Sequence, residues 1–111
     1  MFYRRADDGY LLALEGIVQK TLVYGDKTLL TEFKLEKGSR LPNHSHPHEQ
    51  TGYLVSGKMR LSIGDEKFDA LPGDSWSIPG DVEHGALILE DSVAVEVFSP
   101  VRTEYLPPSD R

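Results

Sequence analysis

Three histidines fall within five residues of this chain, at His44, His46 and His48, and His84 is the only other one. Imidazole is a ligand of divalent transition metals. On extended chain alternate side chains point to one side. His44, His46, His48 and Gln50 therefore share a face, with Glu49 opposite. Two imidazoles at i and i+2 can converge on one ion, at about 2.0–2.1 Å for each zinc–nitrogen bond. A third ligand from a distant strand would close such a site, and His84 directly precedes the apolar run Gly85 to Leu89. A lone histidine in a strand is more often solvated or hydrogen-bonded; the local excess here argues for ligation. With no cysteine in the chain, a thiolate site and a disulfide framework are both excluded.

A second group of side chains lies near the C-terminus. Between Val93 and Ser99, Glu96 and Phe98 share one face, and Arg102 follows shortly after. If Val93, Val95 and Val97 pack elsewhere, Glu96 faces the interior. A carboxylate beside a metal can act as general acid or base. An arginine can hold a substrate carboxylate bidentately, and an aromatic ring can wall a sugar. The plainer alternative makes Glu96 and Arg102 a surface ion pair and Phe98 core.

These residues need short strands to carry them. Turn signals recur at Gly25-Asp26, Lys37-Gly38, Ser56-Gly57, Gly64-Asp65, Pro72-Gly73 and Pro79-Gly80. Between them apolar residues alternate: Leu29, Thr31, Phe33 and Leu35 on one face, and Met59, Leu61 and Ile63 on another. Period two with this spacing predicts an all-β sandwich, jelly roll or barrel. Residues 17–103 form the expected barrel. Residues 1–16 read as an edge strand or an arm reaching a partner subunit, and 104–111 as a disordered or loosely draped tail.

A length of 111 residues fits one domain, and a net charge of −6 argues against nucleic acid as a partner. No stretch of 18 apolar residues is present, so no membrane span is expected. The opening residues lack the apolar segment of a signal peptide, and a cytoplasmic location is expected.

Gly38, five residues, His44-Ser45-His46, three residues, Gln50, six residues, Gly57 resembles the first cupin motif at every spacing. Gly73, five residues, Pro79, four residues, His84 resembles the second. Asp81 stands where that motif has Gly, and Ile88 where it has Asn. The resemblance implies a jelly-roll β-barrel, commonly homodimeric, holding one divalent transition metal (zinc, nickel, manganese or iron) through His44, His46, Gln50 and His84. Gln50 replaces the usual Glu. A neutral amide leaves the ion its full +2 charge and greater Lewis acidity. Glu49 could substitute only if the strand slipped by one residue. His48 is expected at the cavity rim or just outside the ligands.

A narrower resemblance, over most of residues 38–102, is to the small cupins of the KdgF type. It is carried by His44 to Gln50, Gly52 to Gly57, Ile78 to Ala86 and Glu90 to Pro100. Those proteins convert 4,5-unsaturated monouronates, the last products of pectin and alginate lyases, into linear ketonised sugars. The resemblance implies an isomerase-type enzyme acting on a sugar acid, with Glu96 and Arg102 catalytic and Phe98 and Arg102 binding substrate. The family's acid is Asp; here it is Glu96. Tyr53 is a further candidate for a polar substrate contact, or else core with its hydroxyl satisfied. Trp76 reads as barrel packing. Two rivals share the barrel: a metal-dependent dioxygenase or oxidase, and a sugar-binding module without turnover.

Overall fold

The computed structural model describes residues 1–111. Eight strands follow in order: β1 (Leu11–Leu14), β2 (Ile17–Tyr24), β3 (Leu29–Leu35), β4 (Arg40–His44), β5 (Glu49–Ile63), β6 (Glu66–Ala70), β7 (Ser75–Ile78) and β8 (His84–Ser99). They pair antiparallel in the order β1-β2-β3-β8-β5-β6, with β4 added to β8 and β7 to β5. This is the expected all-β jelly-roll barrel. Helix is confined to two single turns, Thr103–Tyr105 and Pro108–Asp110. No helix is long and apolar enough to cross a membrane.

The alternation read from sequence becomes the inside and outside of the barrel. Leu29, Thr31 and Leu35 of β3 are buried, as are Met59 and Leu61 of β5. Leu54, Ile78, Ile88 and Ala94 complete the interior. Each large aliphatic side chain buried this way contributes about 1.5–3 kcal/mol before entropy is counted. The Val93/Val95/Val97 face is half-buried on the other side.

β5 runs through a turn signal, and β8 is a single strand of similar length. Ser56-Gly57 is a β-bulge inside β5, and Glu90-Asp91-Ser92 lies within β8 rather than breaking it. Gly57 has φ +94°, and a Cβ there would meet Ser92 Oγ at 2.2 Å. The Ser92 hydroxyl accepts from the Lys58 N–H at 3.0 Å and donates to the Glu90 carbonyl at 2.7 Å. Glycine followed by a polar residue marks a bulge as readily as a turn. The consequence is functional, because one unbroken β5 carries Gln50 at one end and core leucines at the other.

Both ends of the chain are tied to the barrel at particular residues. β1 is an edge strand, and Lys20 Nζ ties down the preceding segment by donating to the carbonyls of Ala6 (3.1 Å) and Asp8 (2.6 Å). Residues 107–111 are exposed, but the tail is anchored at Leu106. Leu106 is buried against Leu29 and Phe98, and Arg111 donates to the carbonyls of Leu106 and Glu104. An apolar residue placed just before Pro107-Pro108 supplies the anchor that composition alone hid.

Candidate metal centre

His44 ends β4 and His84 begins β8, and the two are register partners. His46 sits in the loop between β4 and β5. A backbone bond from the Asp81 N–H to the His46 carbonyl, 2.8 Å, joins this loop to the turn before β8. Asp81 has φ +66°, the only positive φ outside glycine. That explains why the second motif has glycine there, and aspartate is among the residues that tolerate this conformation.

One nitrogen of each of His44, His46 and His84 falls within 4.8 Å of the other two. All three rings are oriented the same way. Nδ1 of His44 lies 2.9 Å from the Pro42 carbonyl, that of His84 2.9 Å from the Val82 carbonyl, and that of His46 3.0 Å from the His48 carbonyl. A carbonyl only accepts, so each Nδ1 carries the proton and each Nε2 presents a lone pair. Burial lowers the pKa of His46 and His84, with the nearby Arg102 charge adding to the effect. Neutral imidazole is the form that ligates a metal.

Gln50, buried at the start of β5, completes the group: its Oε1 is 2.8 Å from His46 Nε2. His46 thus faces carbonyl oxygens at both ring nitrogens. A neutral ring has one N–H to give, so the second contact calls for a cation between the two atoms. These residues fit a divalent ion. Glu49 is exposed on the opposite face, as its parity requires. His48 stands outside the group, its ring 5.6 Å from that of His46. Its backbone carbonyl, not its ring, serves the site.

The centre opens into a cavity of about 530 Å³ lined at this end by His44, Gln50, His84, Glu96, Arg102 and Tyr105. Glu96 Oε1 accepts from Gln50 Nε2 at 2.7 Å and from Trp76 Nε1 at 2.8 Å. Oε2 receives no hydrogen bond from the protein. Burial raises the Glu96 pKa against the opposing pull of Trp76, Gln50 and Arg102. Glu96 and Arg102 are not an ion pair. Arg102 Nε instead lies 3.3 Å from Glu104 Oε1, outside hydrogen-bond geometry, and is buried without a hydrogen-bond partner. The guanidinium stacks over Tyr105 at 4.4 Å and Phe98 at 5.1 Å.

Phe98 is 1% exposed, packed among Leu29, Leu106 and the edge of Tyr105, as its core alternative requires. It backs Arg102 and the His46 ring and also belongs to the cavity lining. One sequence expectation changes. Tyr53 lies on the outward face of β5 and is 48% exposed, because the inward parity belongs to Gln50, Gly52 and Leu54. It is neither core nor near the cavity. Conversely, sequence reasoning missed Tyr105, and Trp76, which packs against the core as expected, also reaches Glu96 through its indole N–H. A single tryptophan set between serines, with glycine on the paired strand, was the available signal.

The family model for the cupin domain matches residues 31–100. The chain belongs to the cupin family. Among solved structures it is similar to KdgF from Halomonas sp., with a TM-score of 0.90 and 30% identity over 96% of this chain and 100% of that one. It is also similar to an RmlC-like cupin from Shewanella frigidimarina, with a TM-score of 0.84 and 24% identity over 87% of each chain. The cupin domain of Schizosaccharomyces pombe Cnp3, 9% identical over 88% of this chain and 72% of that one, has a TM-score of 0.75 and shares the fold alone. No curated protein sequence matches this cupin.

Proposed function

We propose that this cupin is a metal-dependent enzyme that opens and ketonises 4,5-unsaturated monouronates. One observation carries the reading. Glu96 and Arg102, at the KdgF-type acid and arginine positions, line one cavity with His44, Gln50 and His84, and His46 lies directly behind Gln50. The 30% identity to KdgF from Halomonas sp. over nearly the whole chain supports it.

His44, His46, Gln50 and His84 would hold the ion, which when bound supplies Lewis-acid polarisation of substrate oxygens. The remaining work belongs to the protein. Arg102, which lines the cavity, fixes the substrate carboxylate by paired N–H donors. Tyr105 and Phe98, stacked on the guanidinium, keep it in place. Glu96 Oε2 takes the proton of the anomeric hydroxyl as the ring C–O bond breaks, leaving an aldehyde and an enolate, and returns that proton to the enolate oxygen to give the enol. The enol then gains a proton at C4 and loses its hydroxyl proton to become the ketone. Atoms and charge balance without oxidant or reductant.

Nuclear magnetic resonance of 4,5-unsaturated galacturonate incubated with the protein tests this. Loss of the vinylic C4 proton and appearance of a C4 methylene supports it. Unchanged substrate beside metal-loaded protein contradicts it.

A further inference from the structure

Trp76 has no place in that reaction, yet three neighbouring strands align it with the metal centre. Gly52 of β5 is the register partner of Trp76 on β7 and of Glu96 on β8. A Cβ at position 52 would lie 2.2 Å from the indole Nε1 and Cε2. Only bare backbone lets the ring lie across β5 and bring Nε1 to 2.8 Å from Glu96 Oε1.

That oxygen also accepts from Gln50 Nε2 at 2.7 Å. The amide of Gln50 has two ends of nearly equal shape and opposite hydrogen-bonding character. Glu96 Oε1, already accepting the indole N–H, selects the NH₂ end and turns the carbonyl oxygen toward His46 Nε2. A flipped amide would set oxygen against oxygen at Glu96 and place an NH₂ among the metal ligands, where it has no lone pair to give.

We propose that Trp76 is a positioning residue that, through Glu96, holds the oxygen end of Gln50 toward His44, His46 and His84. The inference rests on the metal-centre half of the proposed function and not on the substrate. Removing this N–H leaves the carboxylate free to rotate and the amide free to flip.

The chain has one tryptophan, so replacing tryptophan throughout by benzothienylalanine exchanges one N–H for sulfur and keeps the ring shape. Cobalt(II) affinity, by competition with a chelator, and the visible spectrum of the bound cobalt are then compared in four proteins. These are the wild type, the replaced protein, Gln50→Ala, and Gln50→Ala carrying the replacement. Trp76→Phe serves as a second variant, with thermal unfolding as its folding control. Loss of ligand orientation of this kind weakens metal binding on the order of 10-fold. That loss and a changed cobalt spectrum are expected in the wild-type background, with no further loss once Gln50 is alanine. Unchanged affinity and spectrum, or an equal loss in the Gln50→Ala background, assigns Trp76 to packing and overturns the inference. A wild type that binds no cobalt overturns the metal centre along with it.

Discussion

His46 Nε2 and Gln50 Oε1 stand 2.8 Å apart, while Nδ1 of the same ring lies 3.0 Å from a second carbonyl. A cation satisfies both contacts at once. Loading the metal-free protein should therefore stabilise it. At a free metal concentration about a hundredfold above Kd the gain is about 2.7 kcal/mol, raising Tm on the order of 10 °C. Calorimetry of chelator-treated protein, with zinc, nickel, manganese or iron(II) returned, measures this. A Tm indifferent to all of them speaks against the site.

Replacing Gln50 by Glu sets a carboxylate against Glu96, whose pKa burial already raises. Two facing carboxyls raise each other's folded pKa further. A folded pKa above the unfolded one gives stability at low pH that is lost as pH rises through the folded value. Metal-free Gln50→Glu should match the wild type in acid and fall about 1–3 kcal/mol below it at neutral pH. Urea titrations at several pH values check this, and a deficit that grows toward acid contradicts it.

Glu96→Gln keeps a carbonyl oxygen to accept from Trp76 and Gln50 but loses the base. Its kcat should fall about 10²–10⁴-fold, while the dissociation constant for metal stays at the wild-type value. An equal fall in both would make Glu96 a structural residue only.

Gly57→Ala places a methyl 2.2 Å from Ser92 Oγ and 2.3 Å from the Asp91 carbonyl, at a φ of +94°. A loss of at least about 2 kcal/mol is expected, seen as a lowered urea midpoint at unchanged m. A neutral result would mean the bulge relaxes freely.

The strand faces, the His44, His46 and His84 cluster and the placement of Glu96 and Arg102 were legible because period-two alternation and motif spacing are local properties. Gln50 was legible by parity, since a one-residue slip toward Glu49 would expel every core residue of β5. Tyr53 was misread because inward and outward strand positions both tolerate a tyrosine. Trp76 was legible as packing but not as a partner of Glu96, because that contact depends on a gap at Gly52, a relation across three strands that no single segment displays. Tyr105 and Leu106 were missed because their anchors, Arg102 with Phe98 and Leu29 with Phe98, lie on the folded barrel.

A homodimer remains the expected assembly. Leu11 and Leu12 of the edge strand are 69% and 75% exposed, and Tyr53 and Val55 of the outer β5 face are both 48% exposed. Light scattering should give a particle of twice the 12.4 kDa chain mass, split by Leu12→Glu. A particle of the single-chain mass contradicts this.

The most direct test of the central claim is the ultraviolet absorbance of 4,5-unsaturated galacturonate, whose conjugated C4–C5 double bond is lost when the opened ring ketonises. Metal-loaded protein should speed its decay, chelator-stripped protein should not, and returned metal should restore the rate. A decay no faster than buffer, with metal demonstrably bound, contradicts the proposed reaction.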